Sequence, residues 1–296
     1  MKKNLWLLVF LSQALGINWA QAQEHHHKHK AHKASALVHS ITPQVQSNIA
    51  LIIDEQTQQV IYNKHAEQVA PIASITKLMT AMVVLDAKLP MDEAVSVATD
   101  DLDMLKGTHS RLRIGMTFTR SQMLQMALMA SENRAASALA RSYPGGLVAA
   151  LAAMNAKAAQ LGMNSTKFFD PTGLNSDNVS TAHDLAKMVA AAQSYPLIHQ
   201  YTTTASTSVD GLRGRELRFN NTNPLVRNAS WHIGVSKTGF INEAGRCLVM
   251  EATINQRPVI IVLLNSMGKR TRIGDANRIK NWMDSSNAVG RAIRPS

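Results

Sequence analysis

The order in which two apolar patterns occur along this chain limits its architecture more than any other feature. Ile49, Leu51 and Ile53, then Val60 and Tyr62, flank the polar stretch Asp54–Gln58. That reads as two β-strands joined by a tight turn. After Pro71 the pattern turns helical, and a helix is expected from near Ser74 through Leu78, Met79, Met82, Val83 and Leu85 to about Leu89. Thr119 and Gln122 form a capping box ahead of the run Met123–Ala130. Residues 132–142, 145–161 and 181–193 are further helix candidates, the last opened by Thr181 with Asp184 in its first turn. Gly and Asn then become denser, strands return at about 232–240, 246–254 and 258–264, and a last helix is expected at about 272–284. Strands at both ends of the body imply one antiparallel sheet flanked by helices, with a mainly helical second lobe at about 90–200: an α/β fold of the α+β kind. A cleft between the lobes is the natural place for a site.

The body is expected to span residues 45–296. Ahead of it, Lys2 and Lys3 precede the apolar run Leu5–Leu11 and then Ala20-Gln21-Ala22, the layout of a signal peptide over residues 1–22. Ser12, Gln13 and Asn18 leave the run too short and too polar to span a bilayer. An exported, soluble protein is expected. Residues 23–44 form a tail containing His25, His26, His27, His29, His32 and His39 among Lys28, Lys30 and Lys33. With no cysteine partner nearby and its histidines interleaved with lysines, it reads as a solvated basic linker rather than a metal site.

Composition narrows the function classes. Apolar residues at 45% and charged residues at 17% exclude a disordered chain. The single cysteine, Cys247, excludes an internal disulfide or a cysteine-built zinc site and reads as a small buried apolar residue. Residues 1–40 hold five Lys and one Glu, so +7 of the net +11 charge belongs to the rest of the chain. A moderate, dispersed excess suits a polyanionic surface such as a cell wall or membrane and not nucleic acid.

The chemistry begins at Ser74-Ile-Thr-Lys77. Residues three apart share a helix face, so hydroxyl and amine can meet. A serine needs a base to become nucleophilic, and lysine serves only if burial or a second cation lowers its pKa. Ser266-Met-Gly-Lys269 has the same spacing but follows a strand-like run. Two further pieces distinguish the first: Ser131-Glu-Asn133 between two helices, and Lys237-Thr-Gly239 on a late strand. Ser176-Asp-Asn178 and Ser285-Ser-Asn287 imitate the middle piece, the former in a loop and the latter beyond the Lys237 strand. Ser131 is suited to relay a proton between Lys77 and a leaving amine, and the Asn133 amide to bond Lys77 and a substrate carbonyl. Lys237 and Thr238 suit a substrate carboxylate, with Lys237 also the second cation that keeps Lys77 neutral. Gly239 allows close backbone approach. The N–H groups of Ser74 and Phe240 are the candidate oxyanion hole.

S-x-x-K, then S-x-N, then K-T-G resembles the penicillin-recognising serine acyltransferases. The resemblance extends from about residue 45 to 285 through Ala70–Thr80, Leu128–Ala135, Asp170-Pro-Thr-Gly-Leu174, Asn221–Leu225 and Ser236–Val249. It is similar to the low-molecular-mass penicillin-binding proteins of the D-alanyl-D-alanine peptidase family, and in its Ser-Glu-Asn motif to their endopeptidases. The resemblance implies a periplasmic enzyme that hydrolyses D-alanyl–diaminopimelate cross-links of peptidoglycan through a Ser74 acyl-enzyme. It implies Lys77 as base, Ser131 as assistant, Lys237 as substrate ligand, β-lactams as covalent inhibitors, and no metal or organic cofactor. Family carboxypeptidases commonly add a C-terminal β-domain and membrane anchor. The segment Asp284–Ser296 has no anchor-like apolar face, so at most peripheral membrane contact is expected.

Other readings remain at this point. A D-alanyl-D-alanine carboxypeptidase is one, and a class A β-lactamase, which shares the three motifs, is another. The latter needs a deacylating carboxylate before K-T-G; Glu216 is the obvious acid there and is expected on a strand or the surface. A catalytically idle peptidoglycan-binding protein has no need of a base-activated hydroxyl. A zinc peptidase lacks its H-E-x-x-H.

Overall fold

The computed structural model describes residues 42–292. The expected signal peptide and nearly all of the tail lie outside the described residues. Strands β1 (Ile49–Asp54), β2 (Val60–Lys64) and β3 (Ala70–Pro71) lead into helix α1 (Thr76–Asp86). Then come β4 (Ala94–Ser96), β5 (Thr117–Thr119), α2 (Arg120–Met129), α3 (Asn133–Arg141) and α4 (Gly146–Gln160). Next are β6 (Val179–Ser180), α5 (Ala182–Ala192), α6 (Pro196–Thr203), β7 (Ser206–Asp210) and β8 (Glu216–Asn220). The chain closes with β9 (His232–Ile241), β10 (Gly245–Ile254), β11 (Arg257–Ser266) and α7 (Thr271–Ala292).

The two ends of the body do meet in one sheet. Its order is β2-β1-β11-β10-β9 and its neighbours are antiparallel, with Ile49 opposite Leu264 and Lys237 opposite Val249. Every residue of β1 is buried, because helices cover both faces of the sheet. One face carries Ile49, Leu51, Val249 and Val262 against Leu78, Met82 and Leu185. The other carries Ile52, Met250, Ile261 and Leu263 against Ala276, Ile279 and Met283 of α7. The β1–β2 turn closes on Asp54, whose Oδ1 accepts from the N–H groups of Gln56 at 3.1 Å and Thr57 at 2.9 Å.

Nine of the eleven residues of α1 are buried, so this helix runs through the core between sheet and helical lobe. It ends at Asp86, earlier than expected. Lys88 turns to φ +51°, and Leu89 precedes Pro90, a position that disfavours helical backbone. The Thr119 capping box is present, with Gln122 N donating to Thr119 Oγ1 at 3.1 Å and Thr119 N donating to Gln122 Oε1 at 2.9 Å. Helix α6 and the pairs β4–β5 and β7–β8 were not expected. They are short, and α6 begins on Pro196 with no side-chain cap at Tyr195.

Candidate active site

Ser74 lies in a short 3₁₀ turn, Ala73–Ile75, immediately before α1 rather than in the α-helix itself. Ala73 holds φ at +49°, a costly conformation for a residue with a Cβ. Two glycines make room for that turn. A Cβ on Gly173 would sit 1.9 Å from Ala73 O, and one on Gly239 would sit 2.9 Å from Ile72 O and 3.2 Å from Ser74 N. Strand β9 therefore passes its Gly239 directly against the serine turn.

Lys77 points back from the first turn of α1 and is 1% exposed. Its Nζ donates to Ser74 Oγ at 2.8 Å, Asn133 Oδ1 at 2.7 Å and Thr172 O at 2.6 Å. Burial brings its pKa down to about 8, against the opposing pull of the Asp170, Glu132 and Asp103 carboxylates. The second lysine faces it. Lys237, also 1% exposed, donates to Ser131 Oγ at 2.8 Å and to Thr238 O at 2.9 Å. Burial first, then the charge of Lys77 and then that of Arg272, hold Lys237 well below the ordinary lysine range. The repulsion between them is mutual, so each ammonium makes the other easier to deprotonate.

Ser131 occupies the link between α2 and α3 at φ +60°. Its hydroxyl accepts from Lys237, while Lys77 bonds the Asn133 amide oxygen. Thr238 Oγ1 donates to Thr222 Oγ1 at 2.7 Å, and Thr222 N donates to Met129 O at 3.0 Å, which joins β9 to the end of α2. Phe240 follows at 49% exposure with the Arg246 guanidinium 4.3 Å over its ring.

The imitations fall elsewhere. Ser266 is buried in a bond with Ser47 Oγ at 2.7 Å, itself held by Asp275 at 2.5 Å. Ser285 Oγ bonds Trp282 O within α7. Glu216 is exposed on the β7–β8 hairpin opposite Asp210. Cys247 is fully buried, and burial pushes its thiol up to about 11. Asn178 is different: although it is no part of the catalytic triad of motifs, it is the clamp of the site. Its Oδ1 accepts from Phe169 N at 2.7 Å and Asp170 N at 3.1 Å, and its Nδ2 donates to Thr76 Oγ1 at 3.0 Å and to Asp170 O and Oδ1 at 2.8 Å each. Asp170 in turn accepts from Gly173 N at 2.9 Å, shaping the loop whose Thr172 carbonyl meets Lys77.

A serine and a buried lysine at one helix start, faced by a second lysine from an edge strand and a second serine from a helix–helix link, define a serine acyl-transfer enzyme. Residues 35–268 match the family described as D-alanyl-D-alanine carboxypeptidase, and the chain belongs to that family of serine peptidases. It is 49% identical over 240 residues to a D-alanyl-D-alanine endopeptidase of Pseudomonas aeruginosa, covering 81% of this chain and 77% of that one. It is 47% identical over 258 residues to a D-alanyl-D-alanine endopeptidase of Escherichia coli, covering 87% and 83% respectively. The crystal structure of a Streptomyces DD-transpeptidase superposes with a TM-score of 0.75 at 28% identity, over 81% of this chain and 98% of that one.

Proposed function

We propose that this protein is an exported, periplasmic D-alanyl-D-alanine endopeptidase that hydrolyses peptidoglycan cross-links through an acyl-enzyme on Ser74. The observation that carries the reading is the 2.8 Å contact between Lys77 Nζ and Ser74 Oγ inside a closed, buried network. The two endopeptidase relatives support the choice of bond. No helix of the described residues is long and apolar enough to cross a membrane.

In this reading the neutral Lys77 amine takes the Ser74 proton as Oγ attacks the D-alanyl carbonyl. The oxyanion is held by the N–H groups of Ser74 and Phe240. Lys237, Thr238 and Gly239 align the substrate along β9 while Asn133 meets a peptide carbonyl. The diaminopimelate amine leaves with the proton that Lys77 took from Ser74, while Ser131, held by Lys237, assists at the leaving group. Water, deprotonated by the same amine, then releases the acyl chain and restores the Ser74 hydroxyl. A β-lactam enters by the same first step and leaves slowly.

The test is incubation of purified protein with defined cross-linked muropeptides and with a fluorescent penicillin. Cross-link cleavage, slow-release labelling and loss of both in Ser74→Ala are the expected results. Cleavage that survives in Ser74→Ala would overturn the reading, and so would rapid β-lactam turnover.

A further inference from the structure

A third segment reaches the Lys77 network from a loop that carries none of the sequence motifs. Thr108 lies between β4 and β5, and its Oγ1 accepts from Asn133 Nδ2 at 2.9 Å while donating to Asp103 Oδ2 at 2.7 Å. Asp103 Oδ2 also accepts from Thr108 N at 2.8 Å, and Oδ1 accepts from Leu105 N and Lys106 N at 2.9 Å each. The loop is tied on its far side by Lys106 Nζ, 2.5 Å from Glu243 Oε1 in the β9–β10 turn.

The direction of every bond in this chain is determined. An ionised carboxylate only accepts, so the Thr108 hydrogen points at Asp103. The Thr108 oxygen is then left to accept, which requires the NH₂ side of the Asn133 amide. The carbonyl side, Oδ1, therefore faces Lys77. Burial pushes the Asp103 carboxyl up, but the Thr108 hydroxyl and three backbone N–H groups outweigh it and keep the group ionised.

We infer that Thr108 and Asp103 are positioning residues for catalysis, a relay that fixes which end of the Asn133 amide meets Lys77. The inference rests on the reading of Lys77 as the base. With Oδ1 held toward it, Lys77 has an acceptor for its ammonium and presents its remaining lone pair, when neutral, to Ser74. A reversed amide turns an N–H toward the amine, which disfavours the ammonium and occupies the lone pair that must take the Ser74 proton. A change at Thr108 removes none of the charged groups facing Lys77 (Asp170, Glu132, Asp103 and Lys237), and an Asp103 carboxylate without the hydroxyl keeps its three backbone N–H donors.

The experiment compares the pH profile of acylation by a fluorescent penicillin in wild type, Thr108→Val and Thr108→Ser, with thermal melts confirming the fold. Thr108→Val is isosteric and neutral: it releases the amide and leaves Asp103 ionised on its three backbone N–H donors. It is expected to shift the acylation midpoint down by about half a pH unit or more and to slow acylation about tenfold. Thr108→Ser keeps the hydroxyl and should retain both midpoint and rate. A Thr108→Val midpoint equal to that of wild type, or a Thr108→Ser enzyme as impaired as Thr108→Val, overturns the relay. Wild-type protein that is not acylated at all instead refutes the reading of Lys77 and Ser74.

Discussion

Lys77 and Lys237 are both buried, and each directs its ammonium at a different serine, Lys77 at Ser74 and Lys237 at Ser131. No carboxylate forms a direct ion pair with either amine among the described residues. Two desolvated cations without a counter-charge are a liability for folding. The same arrangement makes both amines easier to deprotonate, which is the property that acyl transfer needs.

The first expected consequence is a pH profile. With Lys77 near 8, about a tenth of it is neutral at pH 7. Acylation by a fluorescent penicillin should rise about tenfold per pH unit below pH 7 and level off above pH 8. A rise that continues toward pH 10.5, the ordinary lysine value, would remove Lys77 from the role of base.

Asn178 should matter to stability and activity together. It is fully buried, and all of its amide hydrogen-bonding capacity is used between Thr76 beside the Ser74 turn and the Asp170 loop. Asn178→Ala leaves several of those groups unpaired, and a loss of about 2–4 kcal/mol is expected in chemical denaturation. Acylation should slow as well, because the loop also carries the Thr172 carbonyl that holds Lys77. A variant as stable as wild type would show that the clamp is redundant.

The contrast between Asn178 and Ser74 marks how far the sequence is legible. Ser74 and Lys77 are three residues apart, and helical geometry alone brings them together. The long apolar strands are equally plain, since a strand covered on both faces shows a continuous hydrophobic run. Asn178 bonds Thr76 across 102 residues and Thr108 meets Asn133 across 25, in loops with no periodicity to betray the contact. The hydroxyl partner of Ser131 is hidden for the same reason. Lys237 lies 106 residues away, and only strand register and the turn at Ser131 decide which lysine it meets.

Two glycines of similar backbone conformation should respond differently to alanine. Gly173 has φ +82° and a Cβ there would fall 1.9 Å from Ala73 O, against backbone that cannot yield without moving Ser74. Gly173→Ala is expected to abolish penicillin labelling and to lose at least about 3 kcal/mol. Gly162 has φ +67° and a Cβ there would meet no atom within 4 Å, so Gly162→Ala should cost only about 1 kcal/mol and leave labelling intact. Equal effects at the two sites would mean that backbone strain, rather than contact with the Ser74 turn, governs both.

Glu251, opposite Val235 on β9, provides a stability test at a residue with no assigned part in the chemistry. It is buried on β10, and burial, then the charge of Glu55, raise its pKa to about 7, with the Gly234 N–H opposing them. A carboxyl whose folded pKa exceeds its unfolded value binds more protons in the native state, so it favours folding less as pH rises from about 4.5 to about 7. Its penalty is fully present above pH 7 and absent below pH 4.5. After allowance for partial solvent screening, that penalty is about 1–2 kcal/mol. Glu251→Gln keeps the shape and removes the titration, so its melting temperature should exceed that of wild type at pH 8 and converge with it at pH 5. Parallel melting curves at the two pH values would show that the carboxyl titrates as an exposed group does.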